Sequence, residues 1–129
     1  MEDMASKISV ELIKEVHMAA ILSGKEDETD LMNLVRDEAT LFFIADRSNI
    51  IRDSVKQASF LLFNIANRHP FVDGNKRTAV LVAELVLGAD YSINVTAEEL
   101  NDAVRKISAP DGNLECTERW LRNNINKIG

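Results

Sequence analysis

The amino-acid sequence predicts an all-α fold. Apolar residues recur at helical spacing along most of its 129 residues, no strand-like run competes, and two segments are apolar on nearly every side, the pattern of helices buried at the centre of a bundle. With 46% hydrophobic and 28% charged residues the chain lies within the globular range. Its length predicts one domain, 1–129, with no room for separate nucleotide and substrate domains.

Taken in order, Ser9 is placed to cap a first helix in which Leu12, Ile13, Val16, Ala19 and Ala20 share helical spacing, with Gly24 at its end. The acidic run from Glu26 to Asp30 reads as a solvated turn. A second helix is expected after Thr29 or Asp30, with Leu31, Leu34, Val35, Glu38, Leu41 and Phe42 on one face, fading near Asp46. The segment 46–53 lacks periodicity and is read as a connection of unassigned conformation. Ser54 to Asn67 forms the first of the two buried helices, through Val55, Ala58, Phe60, Leu61, Leu62, Phe63, Ile65 and Ala66; Ala79 to Leu87 belongs to the second, with only Thr78 and Glu84 polar. Gly88 is a left-handed stop, and Tyr91 to Val95 a short extended piece. Thr96 with Glu99 makes a capping box for a helix reaching about Ile107. Asp111-Gly112-Asn113 marks a turn, and Leu114, Thr117, Leu121 and Ile125 outline a last amphipathic helix, with Trp120 packing it onto the core.

The composition also excludes function classes. With 15 Lys+Arg against 21 Asp+Glu, the formal charge is −6, which argues against a general nucleic-acid binder because phosphate neutralisation supplies most of that affinity. The single cysteine, Cys116, can form neither an intramolecular disulfide nor a zinc knuckle, and its acidic neighbours disfavour a thiolate. The first residues lack a basic n-region, and no apolar stretch has the roughly 18 to 20 residues that cross a bilayer. A cytoplasmic protein with no membrane partner is the expectation.

Between the two buried helices lies a polar stretch, Asn67 to Thr78. Pro70 disfavours helical geometry at His69, and Asp73-Gly74-Asn75 tolerates a tight or left-handed turn. The second buried helix then begins close to Asn75, and its first-turn N–H groups, at the positive end of the helix dipole, attract phosphate. Gly74 admits a ligand close to the backbone, Lys76 and Arg77 add positive charge, and Asp73 offers the hard oxygen that Mg²⁺ takes beside phosphates. His69, with a reference pKa near 6.5, can remove a proton from a hydroxyl. Phe71 is read as an anchor pinning the loop. His17 reads as structural, and Glu84 could reach the site or pair with another helix.

The run His69-Pro70-Phe71-Val72-Asp73-Gly74-Asn75-Lys76-Arg77 closely resembles the Fic motif, H-P-F-x-[DE]-G-N-[GK]-R. The flanking helices are similar to that family's helical core, so a Fic-fold domain, two central buried helices flanking the active-site loop, is implied from about Ile8 to Ile125. Lys76 in place of the second glycine, followed by Thr78-Ala79, resembles the branch named after the Doc ("death on curing") toxin. Val80 stands where most AMP-transferring members carry a second arginine.

The resemblance implies His69 as general base with Arg77 in the catalytic set, Asp73 as Mg²⁺ ligand, and Gly74, Asn75, Lys76 and Arg77 as the site for the phosphates of ATP. A lysine at position 76 implies a reversed nucleotide with its γ-phosphate facing the histidine. It further implies phosphorylation of a protein hydroxyl, on a translation elongation factor, and restraint by an antitoxin protein. The self-inhibitory pattern [ST]-x-x-x-E-[GN] of the family is absent, which agrees with control from a partner. Two other readings stand beside this one: protein adenylylation, opposed by Lys76 and Val80, and an inactive module that binds an antitoxin or other protein, opposed by the intact His69, Asp73, Asn75 and Arg77.

Overall fold

The structure, a computed structural model, describes residues 7–24 and 35–128. Over these residues the fold is helical, as the periodicity predicts, with six helices and one small sheet. Helix α1 (Val10–Gly24) is followed by α2 (Glu38–Ser48), α3 (Ser54–Arg68) and α4 (Asn75–Leu87); β1 (Tyr91–Ile93), α5 (Ala97–Ser108), α6 (Leu114–Asn123) and β2 (Ile125–Lys127) complete the order. The expected acidic turn at 26–30 and the expected start of the second helix lie outside the described residues.

The two apolar segments are the centre of the molecule. α3 and α4 make the most extensive contact of any pair of elements; α3 also meets α2, α5 and α6, and α4 also meets α1, α5 and β1. A helix touched from several sides needs apolar residues around its circumference. Ala58, Leu61, Ile65 and Ala66 of α3 and Ala79, Val82 and Ala83 of α4 are all fully buried.

Most helix starts follow local chemistry. Ser9 Oγ accepts from the Leu12 amide at 3.0 Å, Asp37 caps α2, Asp53 caps α3 and Asn113 caps α6. Both halves of the Thr96–Glu99 capping box are present. Each such bond satisfies a donor that has no intrahelical partner.

Four expectations are corrected. Val35 does not belong to the second helix: it forms an isolated antiparallel bridge with Phe71, and the helix begins after Asp37. Phe42 is 64% exposed; the buried face of α2 is Leu41, Ile44, Ala45 and Ser48. Ile125 leaves the last helix, because Asn124 turns the chain, its amide donating to Leu121 O and its Nδ2 to Trp120 O. Ile125 then sits opposite Ile93 in a two-stranded antiparallel sheet that also pairs Tyr91 with Lys127. Gly88 has a positive φ of 60° with ψ −140°, outside the left-handed helical region, and still stops α4.

Leu61→Ala should remove about 2 to 5 kcal/mol of stability by leaving a cavity between the central helices. Thr96→Ala, at the exposed start of α5, should cost about 1 kcal/mol. Urea denaturation of the two variants checks this ordering.

Candidate active site

The site is built where α3 stops. Residue 70 is proline, which has no N–H to return to the helix end, and His69 turns the chain with φ 53° and ψ 61°. It is the only non-glycine with positive φ among the described residues, a conformation that costs an L-residue about 1 kcal/mol. Three consecutive carbonyls at this bend are taken by one residue. Arg36 donates from its backbone N to Pro70 O at 2.7 Å, from Nε to His69 O at 2.6 Å and from Nη2 to Arg68 O at 2.7 Å. A guanidinium at the negative end of the α3 dipole is also favourable.

The loop beyond His69 is clamped from two sides. The Asn75 side chain closes on the Phe71 backbone, accepting from Phe71 N and donating to Phe71 O, both at 2.9 Å. Phe71 is buried and lies flat on His17 of α1, with ring centroids 3.7 Å apart and planes 4° apart. His17 Nε2 donates to Asp73 O at 2.8 Å. Its pKa is drawn below the ordinary value by burial, with the Asp73 carbonyl and carboxylate opposing. Gly74 needs to be glycine for its φ of +80°; a Cβ there would also lie 2.9 Å from Ile21 Cδ1, the mobile end of that side chain, and at ordinary contact, 3.5 Å, from the His17 ring.

Gly74 is the N-cap of α4 and makes no side-chain cap hydrogen bond. Among the described residues every other helix start receives one, from Ser9, Asp37, Asp53, Thr96 or Asn113. The first-turn amides of α4 are thus left for a ligand, at the end of the helix where an anion is stabilised. They open on a cavity of about 360 Å³, walled by Ala20 and Ile21 of α1, by His69, Val72 and Asp73 of the loop, and by residues 74–77.

Within this cavity His69 is half-buried. Its pKa is lowered from the ordinary histidine value, first by burial and then by the charges of Lys76 and Arg36, so the ring is neutral near pH 7 and able to accept a proton. Asp73 is exposed; its Oδ1 accepts from Gly74 N at 2.8 Å, and its other oxygen has no partner among the described residues. Lys76 is exposed. Arg77 donates from Nη1 to Ala20 O near the end of α1, at 3.2 Å. Val80 lies outside the cavity, in an adjoining groove between α4 and α5 with Leu81, Leu100 and Val104.

The structure therefore brings His69, Asp73, Gly74, Asn75, Lys76 and Arg77 to one cavity. Asn75 differs from the others, since its side chain holds the loop and leaves its backbone N–H as the group available to a phosphate. Phe71 is the anchor that the sequence suggests. Glu84 is exposed and takes no part in the cavity or in an ion pair among the described residues. Arg36 was invisible to sequence reasoning: it sits off the apolar face of the expected second helix, and its partners are more than 30 residues away.

A model of the Fic/DOC family matches residues 7–87. That span is more than half of the chain, and the protein belongs to the Fic/DOC family. No individual curated protein matches the sequence. Fic/DOC proteins generally modify other proteins using nucleotides, and a mostly helical fold is consistent with membership. No helix among the described residues is long and apolar enough to cross a membrane.

Asn75→Ala strands the buried N–H and C=O of Phe71, at about 1 to 3 kcal/mol for each orphaned group. The variant should melt well below the parent, and amide exchange at residues 69–74 should rise first.

Proposed function

We propose that the protein is a Doc-like kinase that transfers the γ-phosphate of ATP to a hydroxyl side chain of a protein target, a translation elongation factor, and that an antitoxin protein restrains it. The observation that carries this reading is the uncapped start of α4, flanked by Lys76 and Arg77 and sharing one cavity with a neutral imidazole. Lys76 occupies the position where AMP-transferring relatives of the family carry glycine, and this favours transfer of the terminal phosphate over transfer of AMP.

In this mechanism the amides of residues 75–77 and the charges of Lys76 and Arg77 hold the phosphates and neutralise charge as it develops on the transferring group. The hydroxyl oxygen of the target attacks the γ-phosphorus, the bond to the β-phosphate oxygen breaks, and ADP leaves. His69 takes the hydroxyl proton. The donor set also fits Mg²⁺: a single exposed carboxylate, Asp73, with one oxygen unpartnered among the described residues, suits an ion that fills its shell with phosphate oxygens and water. When bound there, Mg²⁺ supplies further neutralisation of phosphate charge.

His69→Ala should lower transfer by roughly 10² to 10⁴-fold with nucleotide binding retained. The test uses the purified chain, a cell lysate containing the elongation factor, and ATP labelled at the α or the γ position. Transfer of γ label alone is the expected result; α label would mean adenylylation, and no label would point to a binding module. Because protonated His69 cannot act as base, and burial with the charges of Lys76 and Arg36 lowers its pKa, activity should persist to a lower pH than an ordinary imidazole base would allow and fall as the ring protonates.

A further inference from the structure

We propose that Arg36 is a positioning residue for His69, holding through its hydrogen bonds to three successive carbonyls the left-handed bend that presents the imidazole to the cavity. This inference rests on His69 as the base of the proposed reaction.

The geometry leaves Arg36 little alternative role. Its backbone N, Nε and Nη2 reach Pro70 O, His69 O and Arg68 O respectively. The next amide, of Asp37, also donates to Pro70 O, at 3.1 Å. Immediately before it, Val35 bridges Phe71. Immediately after it, Asp37 is fixed at the start of α2, its Oδ1 accepting from Thr40 N at 3.0 Å and its Oδ2 from Thr40 Oγ1 at 2.8 Å. The guanidinium is therefore held at both ends of its own segment, and it forms no ion pair among the described residues. Its planar fork matches two adjacent carbonyls in a way that an ammonium cannot.

The bend needs such support. A left-handed histidine followed by proline is strained and has no following N–H to close the helix, so a φ of 53° at His69 persists only where neighbouring groups impose it. The same cation adds to the positive field on the imidazole, after burial and Lys76. The other charged groups around His69 are Asp73 and Arg77 in the shared cavity and Arg68 in the last turn of α3, while α1 contributes the uncharged Ala20 and Ile21 to that cavity.

The chain contains two histidines, so His69→Ala assigns their imidazole resonances. In Arg36→Gln, the His69 titration should move up toward 6.5, but only part of the way because burial and Lys76 remain. Transfer of γ label in the lysate should fall on the order of 10²-fold, as displacement of a reacting group does. Affinity for ATP·Mg²⁺, measured by calorimetry, should be unchanged, because Arg36 does not line the cavity.

Arg36→Lys keeps the charge and loses the fork. Its His69 should titrate near the parent value, while the HN–Hα coupling of His69, which reports φ, changes and transfer falls. This variant also serves if the glutamine variant does not fold. A folded glutamine variant whose His69 titration and coupling both match the parent overturns the proposal, as does a lysine variant with parental coupling and parental transfer. If both readings move as expected but His69→Ala keeps full transfer, the hold of Arg36 on His69 stands and the assignment of His69 as base fails.

Discussion

The closure of the Asn75 amide on the Phe71 backbone is the constraint on which the site depends. Two buried helices, α3 and α4, are joined through residues 69–74, and the middle of that connection carries a buried peptide group with no ladder or helix to satisfy it. Asn75 supplies both an acceptor and a donor at once. With Phe71 fixed in this way and laid against His17, the chain before it must rise through a left-handed His69, and the chain after it must enter α4 through a left-handed Gly74. The position of the open helix start thus follows from one satisfied backbone unit, and that of the imidazole from the same unit together with the three hydrogen bonds of Arg36.

Charge around the cavity runs against the charge of the protein. The chain carries −6 overall, yet Lys76, Arg77 and Arg36 all stand close to the loop. Lys76 and Arg36 also depress the proton affinity of His69. In the proposed reaction, arriving phosphates would offset that positive field and raise the basicity of the imidazole. The base would then be strongest when nucleotide is in place.

Much of this arrangement could be read from the sequence because it is written in local patterns. The all-round apolar character of 54–67 and 79–87 marks the central pair, Thr96 and Glu99 announce a helix start, and Pro70 and Gly74 mark the bends of the loop. What escaped depends on partners far along the chain. Arg36 reads as a polar position off the apolar face of an expected helix and acts through carbonyls 32 to 34 positions away; His17 has the spacing of any core residue, and its partner at Asp73 is 56 positions away. Ile125 fits the helical repeat, but the turn at Asn124 and the edge of Tyr91–Ile93 decide its conformation. Asn75 was legible as a site residue; the inward direction of its side chain was not.

The stack of His17 on Phe71 has a consequence for how the protein comes into being. One ring is translated long before the other, and the surfaces they join belong to the first helix and to the loop between the third and fourth. On the ribosome, α1 can meet α2 through the Ile8–Asn49 and Lys14–Glu38 contacts, but its His17 face stays uncovered until the motif has left the exit tunnel. No early fragment holds the complete cavity, which forms only when the amino-terminal helix folds back onto sequence made much later.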